Sequence, residues 1–465
     1  MGTEKDATGA KRGPAISRRT WLSGTAAGLA VAAIVPRHVL GGEERTAPSE
    51  TLNLAGVGVG GVGFGQLQGC EKAGFRIASL CDVDDEYARK AFEKWPEARR
   101  YRDYREMLQA EGDKIDAVYC GTPDHSHAVI VMAALARKKH VCCVKPLTRT
   151  IDESRTVLAA ARKAGVATQV TASPNTSEAA CRTCELIWAG AIGAVREVHI
   201  WSNRPLWPQG MQRPEGEDPI PSTLDWDLWI GPAAMRPFKS VWPEGHLAMS
   251  QIKSGGGHRG VYHPWNFRGW WDFGTGALGD MGCHHLNTPY RALKLTSPTD
   301  IYASATKVFE ETAPLASIVT YDYPAREDMP RLRIVWYDGG LKPPRPKQLG
   351  DLPLPPDGEL YVGDEGVMLG PRVYPQERAA KFADVPKTLP RRGGTWAEWY
   401  EACRGGEPAG CHFDWAGPLT EFVLLGNIAI RTGKPLEWNA DEMGFTNSAE
   451  ANQLIRETYR EGWSL

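Results

Sequence analysis

The sequence predicts an α/β fold in two parts: a doubly wound parallel sheet, then an α+β domain with a large, open, mostly antiparallel sheet. Three observations carry this prediction. A glycine-rich turn joins an apolar run to a helical segment, apolar runs then alternate with helical segments to about residue 170, and the alternation stops afterwards. Strands that alternate with helices indicate βαβ units, whereas the later succession of strands indicates an antiparallel meander.

The glycine-rich turn spans residues 58–63 and follows the apolar run 52–57. A strand, this turn and a helix are the context in which G-x-G-x-x-G predicts a dinucleotide-binding Rossmann domain. The glycines permit a tight turn, approach of the backbone to the pyrophosphate, and close packing of helix on strand. An earlier frame beginning at Gly56 also fits, but the later frame leaves a longer strand. The predicted cofactor-binding glycines are Gly58, Gly60, Gly61 and Gly63.

Asp82 ends the second apolar run, about 20 residues beyond the last glycine. A carboxylate there can accept hydrogen bonds from the adenosine ribose, and it repels a 2′-phosphate. We therefore expect NAD to be favoured over NADP. The βαβ series ends with the run 166–170, so the predicted cofactor-binding domain covers residues 51–172 and the second domain covers 173–465.

Two later strands end in polar residues that would face the same cofactor. The third strand leads into a loop at 122–127, and the fourth leads into Lys145. Doubly wound sheets bind ligands at the carboxyl ends of their strands. A lysine there, buried beside a cationic ring, can act as a general acid or base, so Lys145 is a candidate for cofactor binding and catalysis. Asp124 could instead cap the next helix. The candidate contacts in the loop are Thr122, Pro123, Asp124 and His127.

The chemistry of the second half centres on Asp280 and His284. If a helix begins near Gly279, these two residues are spaced i,i+4 and share a face. A histidine oriented by a carboxylate one turn away can carry a proton near neutral pH. The spacing also suits a surface ion pair or a buried structural histidine, but the flanking glycines and aromatic residues favour a site that faces a ligand.

Composition narrows the classes of function. The 465 residues carry a net charge of −2 and are 42% hydrophobic, which is ordinary for a soluble protein and favours neither nucleic acid nor an anionic membrane as a partner. The ten cysteines do not suggest a disulfide framework. The pairs Cys181–Cys184 and His125–His127 both lack convincing further ligands, so we expect no metal.

The N-terminus has the features of an export signal. Paired arginines, Arg18 and Arg19, precede an uncharged segment at 23–35. This pattern is typical of the twin-arginine route, and the apolar segment is too short for a comfortable membrane span. We expect a signal within residues 1–45, a linker to residue 50, a periplasmic or otherwise exported protein, and no stable membrane span in its mature form.

Together these pieces resemble the Gfo/Idh/MocA superfamily, which includes glucose–fructose oxidoreductase and inositol dehydrogenase. Five motifs match in family order: the glycine turn, Asp82, the loop at Thr122, Lys145-Pro146 and Asp280-x-x-x-His284. The tryptophan-rich block at 262–271 looks like the twin-arginine-bearing branch. The resemblance covers most of the chain beyond residue 52.

The resemblance implies that Lys145, Asp280 and His284 are the catalytic residues, with His284 as the acid/base. It also implies a homodimer or homotetramer. One position departs from the family: Val144 stands where the Glu of a Glu-Lys-Pro motif is expected. The candidate substrate contacts are Arg268, Trp271 and His285.

We therefore expect an exported NAD(P)-dependent oxidoreductase that acts on a secondary hydroxyl of a sugar, polyol or glycoside. Its cofactor would be tightly bound, because NADH is not easily recycled outside the cytoplasm. Two alternatives stay open. One is an NAD-dependent glycosidase that uses transient oxidation and elimination, and the other is a low-activity or non-catalytic sugar- or cofactor-binding homologue, suggested by Val144.

Overall fold

A computed structural model describes residues 51–252, 260–327 and 329–465, and residues 52–465 form one compact unit. The predicted signal within residues 1–45 and its linker lie outside the described residues. Within the described part, no helix combines the length and apolar character needed to cross a membrane. All ten cysteines are buried and unbridged.

The first sheet has six parallel strands in the order β3-β2-β1-β4-β5-β6. This order confirms the doubly wound parallel sheet. Its strands are β1 Asn53–Val57, β2 Arg76–Cys81, β3 Arg99–Tyr101, β4 Ala117–Cys120, β5 His140–Cys143 and β6 Thr168–Val170. The helices between them are α1 Val62–Ala73, α2 Asp85–Lys94, α3 Tyr104–Glu111, α4 His127–Ala136 and α5 Ile151–Ala164. The sequence did not predict β3, because this short edge strand carries two arginines and no apolar run.

The second sheet has nine strands in the order β13-β12-β11-β7-β10-β9-β8-β14-β15. Only the β7–β10 pair is parallel among the described strands of this sheet, so the prediction of a mostly antiparallel sheet is confirmed. Its strands are β7 Val195–Trp201, β8 Asp300–Ala305, β9 Ser317–Tyr323, β10 Leu332–Tyr337, β11 Gly358–Gly363, β12 Val367–Leu369, β13 Arg372–Tyr374, β14 Leu436–Asn439 and β15 Gly444–Phe445.

One long helix, α13 (Phe413–Thr432), joins the two parts because it packs against α5, α9 (Gly276–His285) and β8. Its Glu421 accepts two hydrogen bonds from Arg155 of α5, at 2.7 and 2.8 Å. Ser154 Oγ also donates to the Gly417 carbonyl at 3.1 Å. The helices after β6 are α6 Glu178–Trp188, α7 Trp226–Ile230, α8 Ala248–Gln251, α9 Gly276–His285, α10 Asn287–Ala292, α11 Gln376–Lys381, α12 Thr395–Cys403, α13 Phe413–Thr432 and α14 Ala449–Gln453.

The tryptophan-rich segment between β7 and α9 has its own small aromatic core. Trp226 and Trp229 stack with ring centroids 4.7 Å apart, and Phe273 packs edge-on against Trp229. The segment is hydrogen-bonded to the loop that follows β2: Asp225 N donates to the Val83 carbonyl at 2.8 Å, and Asp85 N donates to the Thr223 carbonyl at 3.0 Å. It therefore covers the carboxyl edge of the parallel sheet.

We expect Glu421→Gln to lower the free energy of unfolding by about 1–3 kcal/mol, because it leaves the partly buried Arg155 guanidinium without a charged partner. Asp414→Asn is the matched control, since its partner Arg162 is largely exposed, and the expected loss is below about 0.5 kcal/mol. Urea unfolding followed by circular dichroism measures both changes. Equal losses in the two variants would contradict the role of this pair.

Candidate active site

The glycine-rich turn is tightly constrained in the structure. Gly58 has a φ of +73°, and a Cβ on Gly63 would lie 2.1 Å from the Gly58 carbonyl oxygen, so α1 can approach β1 only with glycine there. Because β1 ends at Val57, the structure agrees with the later of the two motif frames. Gly61 has a φ of +51°, and a Cβ on it would lie 2.0 Å from the Tyr87 hydroxyl.

Asp82 holds this turn in place. Its Oδ2 accepts hydrogen bonds from the backbone N–H groups of Val59 at 2.9 Å and Gly60 at 3.1 Å, and its Oδ1 accepts one from Asp84 N at 3.1 Å. Burial raises the pKa of Asp82, while these backbone donors and nearby His263 oppose the rise. An ionised carboxylate offers about four acceptor positions, so it can still accept from a ribose hydroxyl.

The loops after β4 and β5 are linked by a buried histidine. The ring nitrogens of His127 lie 2.8 Å from the Pro146 carbonyl oxygen and 2.9 Å from that of Thr122. Asp124, also buried, accepts a hydrogen bond from Thr275 Oγ1 at 2.8 Å. Burial raises the pKa of Asp124, and His127 opposes the rise. Thus His127 positions the Thr122 and Lys145 loops.

The strongest charge interaction of the site is centred on Asp280. Its Oδ1 contacts Lys145 Nζ and also accepts a hydrogen bond from Arg268 Nε at 3.0 Å. The Arg268 guanidinium lies 4.2 Å from the ring centroid of Trp265 and 4.6 Å from that of Phe267. Burial by itself would raise the pKa of Asp280, but Lys145 and Arg268 hold it well below its usual range. Asp280 is therefore a carboxylate that fixes two cations.

His284 lies on the same helix as Asp280, because α9 begins at Gly276, three residues earlier than expected. Its Nδ1 is 3.1 Å from Ser173 Oγ, a contact that orients the ring. Burial, followed by the charge of Lys145, lowers the pKa of His284 to about 3, although Asp280 opposes this shift. The imidazole is therefore neutral at physiological pH, which is the form that can accept a proton.

A cavity of about 350 Å³ brings these groups together. It extends from the glycine turn to α9, and both parts of the chain line it. The predicted residues that line it are Gly58, Gly60, Gly63, Asp82, Thr122, Pro123, Asp124, Lys145, Arg268, Asp280 and His284, together with Val144. Among the described residues that were predicted for the site, Gly61, His127, Trp271 and His285 are not part of this lining.

The side chains of Trp271 and His285 lie outside the main cavity. The Trp271 backbone carbonyl accepts a hydrogen bond from Arg149 at 2.8 Å, and its ring lies beside Arg431 in a separate cavity of about 30 Å³. His285 points towards β11, with Nδ1 3.9 Å from Glu359 Oε1. The structure does not bring these two predicted substrate contacts to the main cavity.

The cavity also contains residues that the sequence analysis did not single out for it. His263 Nε2 lies 3.0 Å from Asp84 Oδ2, and His263 lines the cavity together with Asp82. The tryptophan-rich composition was the available signal for several of these residues, but it could not separate core residues from lining residues. No local pattern indicated Trp463. The added lining residues include Tyr87, Arg102, Tyr104, Arg204, Trp207, Leu228, Trp229, His263, Trp265, Phe267 and Trp463.

One group of residues within the described ranges has the geometry of metal ligands. Ligand atoms of Cys120, His127 and Cys143 all lie within 4.8 Å of one another, and all three residues are buried. Both nitrogens of His127 already face carbonyl oxygens, so coordination would disrupt one of those contacts. The absence of a metal stays a prediction.

Two family models match this chain. Residues 52–172 match an oxidoreductase family with an NAD-binding Rossmann fold, and residues 201–326 match the C-terminal alpha/beta domain of the same oxidoreductase family. The chain belongs to the Gfo/Idh/MocA family. The resemblance drawn from the five sequence motifs is thereby confirmed.

Relatives in this family match part of the chain. Inositol 2-dehydrogenase of Arthrobacter sp. (strain FB24) is 35% identical over 119 residues, which is 25% of this chain and 35% of that enzyme. D-xylose 1-dehydrogenase (NADP(+)) 2 of Haloferax volcanii is 30% identical over 177 residues, which is 38% of this chain and 50% of that enzyme. The chain thus spans half the length of these curated relatives or less.

Structural similarity to solved proteins covers more of this chain than the sequence matches do. The WlbA dehydrogenase of Bordetella pertussis, solved with NADH and UDP-GlcNAcA, has a TM-score of 0.57 at 13% identity, covering 84% of this chain and all of that one. This likeness concerns the fold.

We expect Lys145→Met to raise the pKa of His284 above about 3, towards its ordinary value of 6.5, because the substitution removes the cation that disfavours the imidazolium. Carbon-13 NMR of labelled histidines across a pH series measures the change. Lys90→Met, which removes an exposed lysine on α2, should leave the pKa of His284 unchanged. Titration of His284 at the same pH in wild type and Lys145→Met would contradict the interaction.

Proposed function

We propose that this protein is an NAD-dependent oxidoreductase that oxidises a secondary hydroxyl of a sugar, polyol or glycoside. The observation that carries the proposal is the convergence of Lys145, Asp280 and His284 in a cavity that continues to the glycine turn and Asp82. A base, two cations and a dinucleotide-type turn in one cavity suit removal of a proton and a hydride from the same substrate.

The residues of the glycine turn fit a dinucleotide. No side chain caps the first turn of α1, and that turn contains no acidic residue. The N–H groups at the start of α1 and the positive end of its dipole therefore suit a pyrophosphate. Asp82 would receive the adenosine ribose. Its charge disfavours a 2′-phosphate, so we propose NAD rather than NADP. When bound there, NAD would supply a hydride acceptor.

His284 is suited to take the hydroxyl proton. Its ring is neutral at physiological pH, and the contact with Ser173 occupies Nδ1, which leaves Nε2 for the substrate. Asp280, one turn earlier on α9, is an anion that stabilises the imidazolium once it forms. Proton removal by a positioned side chain contributes about 10²- to 10⁴-fold to a rate.

Lys145 and Arg268 are suited to stabilise the alkoxide that forms as the proton leaves. Asp280 neutralises only one of these two cations, so the group keeps one net positive charge in a partly buried site. Such a preorganised charge stabilises negative charge more strongly than water does. Trp265 and Phe267 hold the Arg268 guanidinium against their rings and so restrict its movement.

Val144 keeps two other outcomes open. Val144 lines the cavity beside Lys145 and carries no charge. An apolar side chain in place of a carboxylate is consistent with a weakly active or non-catalytic binder. A glycosidase that oxidises, eliminates and reduces again would use the same base and cations, but it would accumulate no reduced cofactor. An assay that follows both cofactor reduction and aglycone release separates the dehydrogenase, the glycosidase and the non-catalytic binder.

Three further features belong to this proposal. The paired arginines at 18–19 support export through the twin-arginine route to the periplasm. A cavity with walls from both parts of the chain supports tight retention of the cofactor. The second sheet exposes Tyr302 and the Arg333–Asp322 ion pair, and we propose that this sheet forms a dimer or tetramer interface.

We expect the purified protein to release NAD on heating and to reduce it with at least one member of a panel of sugars, polyols and aryl glycosides. His284→Ala should lower kcat/KM by about 10²- to 10⁴-fold because the base is lost, whereas Lys90→Met should stay within about two-fold of wild type. Mass spectrometry of the released nucleotide, absorbance of reduced nicotinamide and aglycone release are the measurements.

The outcomes of this assay are distinct. Aglycone release without net reduction would replace the dehydrogenase by the glycosidase. Turnover that appears only in Val144→Glu would indicate a binder that has lost its activity. A protein that carries and binds no dinucleotide would overturn the proposal.

We also expect replacement of both Arg18 and Arg19 by lysine to abolish export, because the twin-arginine route requires the arginine pair. Cell fractionation of bacteria that express the full chain measures this, with Lys11→Arg as the control for basic charge outside the pair. Unchanged recovery in the exported fraction would contradict the assignment.

A further inference from the structure

The order of strands fixes which end of the cavity would receive each half of a dinucleotide. The pyrophosphate site lies at the β1–α1 turn, and Asp82 marks the adenosine ribose at the end of β2. The end of β3, on the far side of β2, supplies Arg102 to the lining, followed by Tyr104 of α3. Lys145 lies on the opposite side, after β5. The Arg102–Tyr104 end is therefore the adenosine half.

The C-terminal segment after α14 runs to this adenosine half. Arg460 donates from its backbone N to the Pro232 carbonyl at 2.9 Å and from Nε to the Gly231 carbonyl at 3.1 Å, and its guanidinium contacts Asp227 of α7. Trp463 N in turn donates to the Arg460 carbonyl at 3.1 Å. The segment is thus attached to the tryptophan-rich part that covers the parallel sheet.

Trp463 is the residue that this segment places at the cavity. Its ring centroid lies 4.7 Å from the Arg105 guanidinium of α3, and the residue lines the cavity with Tyr104 and Leu228. The residues on either side, 461–462 and 464–465, are exposed, whereas Trp463 is half-buried. One aromatic ring therefore lies between α3 and α7, across the adenosine half.

We propose that Trp463 forms the outer wall of the adenosine site and retains the dinucleotide by covering its adenine. This inference rests on the proposed function, because it assumes that the cavity binds NAD. An aromatic face against a purine gains stacking energy. Arg460 keeps the ring in place, so the adenosine half cannot leave until the segment at 460–463 moves away. Trp463 thus contacts the cofactor directly, at the end of the cavity away from Lys145 and His284.

The test uses the full chain freed of nucleotide and AMP as a probe that occupies only the adenosine half. Calorimetric titration should give an AMP Kd about ten-fold weaker for Trp463→Ala than for wild type, since one base–aromatic contact is lost. The dissociation rate of NADH, measured by stopped-flow fluorescence, should rise by a similar factor. Trp463→Phe should restore most of both values, and Leu465→Ala, at an exposed neighbour, should change neither.

The possible results distinguish failure of this inference from failure of the proposed function. If wild type binds NADH and AMP and Trp463→Ala binds them within about two-fold of wild type, the inference is overturned while the proposed function stands. If wild type binds neither, the proposed function fails. If the nucleotide-free Trp463→Ala chain unfolds at a much lower temperature, and the non-aromatic Trp463→Leu recovers both stability and AMP affinity, the residue is only structural and the inference is overturned.

Discussion

One oxygen atom, Oδ1 of Asp280, accepts from two cations that come from distant parts of the sequence. Lys145 follows β5 of the parallel sheet, and Arg268 precedes α9 in the tryptophan-rich segment. Removing two cations and a carboxylate from water is costly, and only close pairing compensates for that cost. Without Asp280 the two cations would repel each other across the junction. The position of α9, supported from behind by α13, therefore determines whether the two parts of the chain form one site.

The sequence was sufficient to predict the groups that come from strand ends. Asp82, Thr122 and Lys145 could be placed together because the carboxyl ends of parallel strands share one edge of the sheet. Asp280 and His284 could be placed on one face by their i,i+4 spacing. His285 shows where this reasoning stops. The next position on a helix is rotated by about 100°, so His285 points towards Glu359 of β11, away from the cavity.

Long-range packing determined the remainder of the site. Trp271 is a predicted substrate contact, but its ring lies outside the main cavity. The aromatic residues that do line the cavity include Trp207 and Trp265, which surround Arg268. Nothing in their local pattern separates them from Trp226, which stacks on Trp229 in an aromatic core and does not line the cavity. The distinction depends on how the segment folds over the sheet, and a sequence pattern does not contain that information.

His127 lies behind the cavity, with one ring nitrogen against the carbonyl of Thr122 and the other against that of Pro146. The ring is completely buried and tightly surrounded, so a shift of one loop would move the ring and with it the other loop. The Thr122 loop and the loop that carries Lys145 are therefore mechanically coupled through this one ring. A displacement of either loop would be transmitted to the other, so a ligand that contacts Thr122 would also change the position of the Lys145 ammonium.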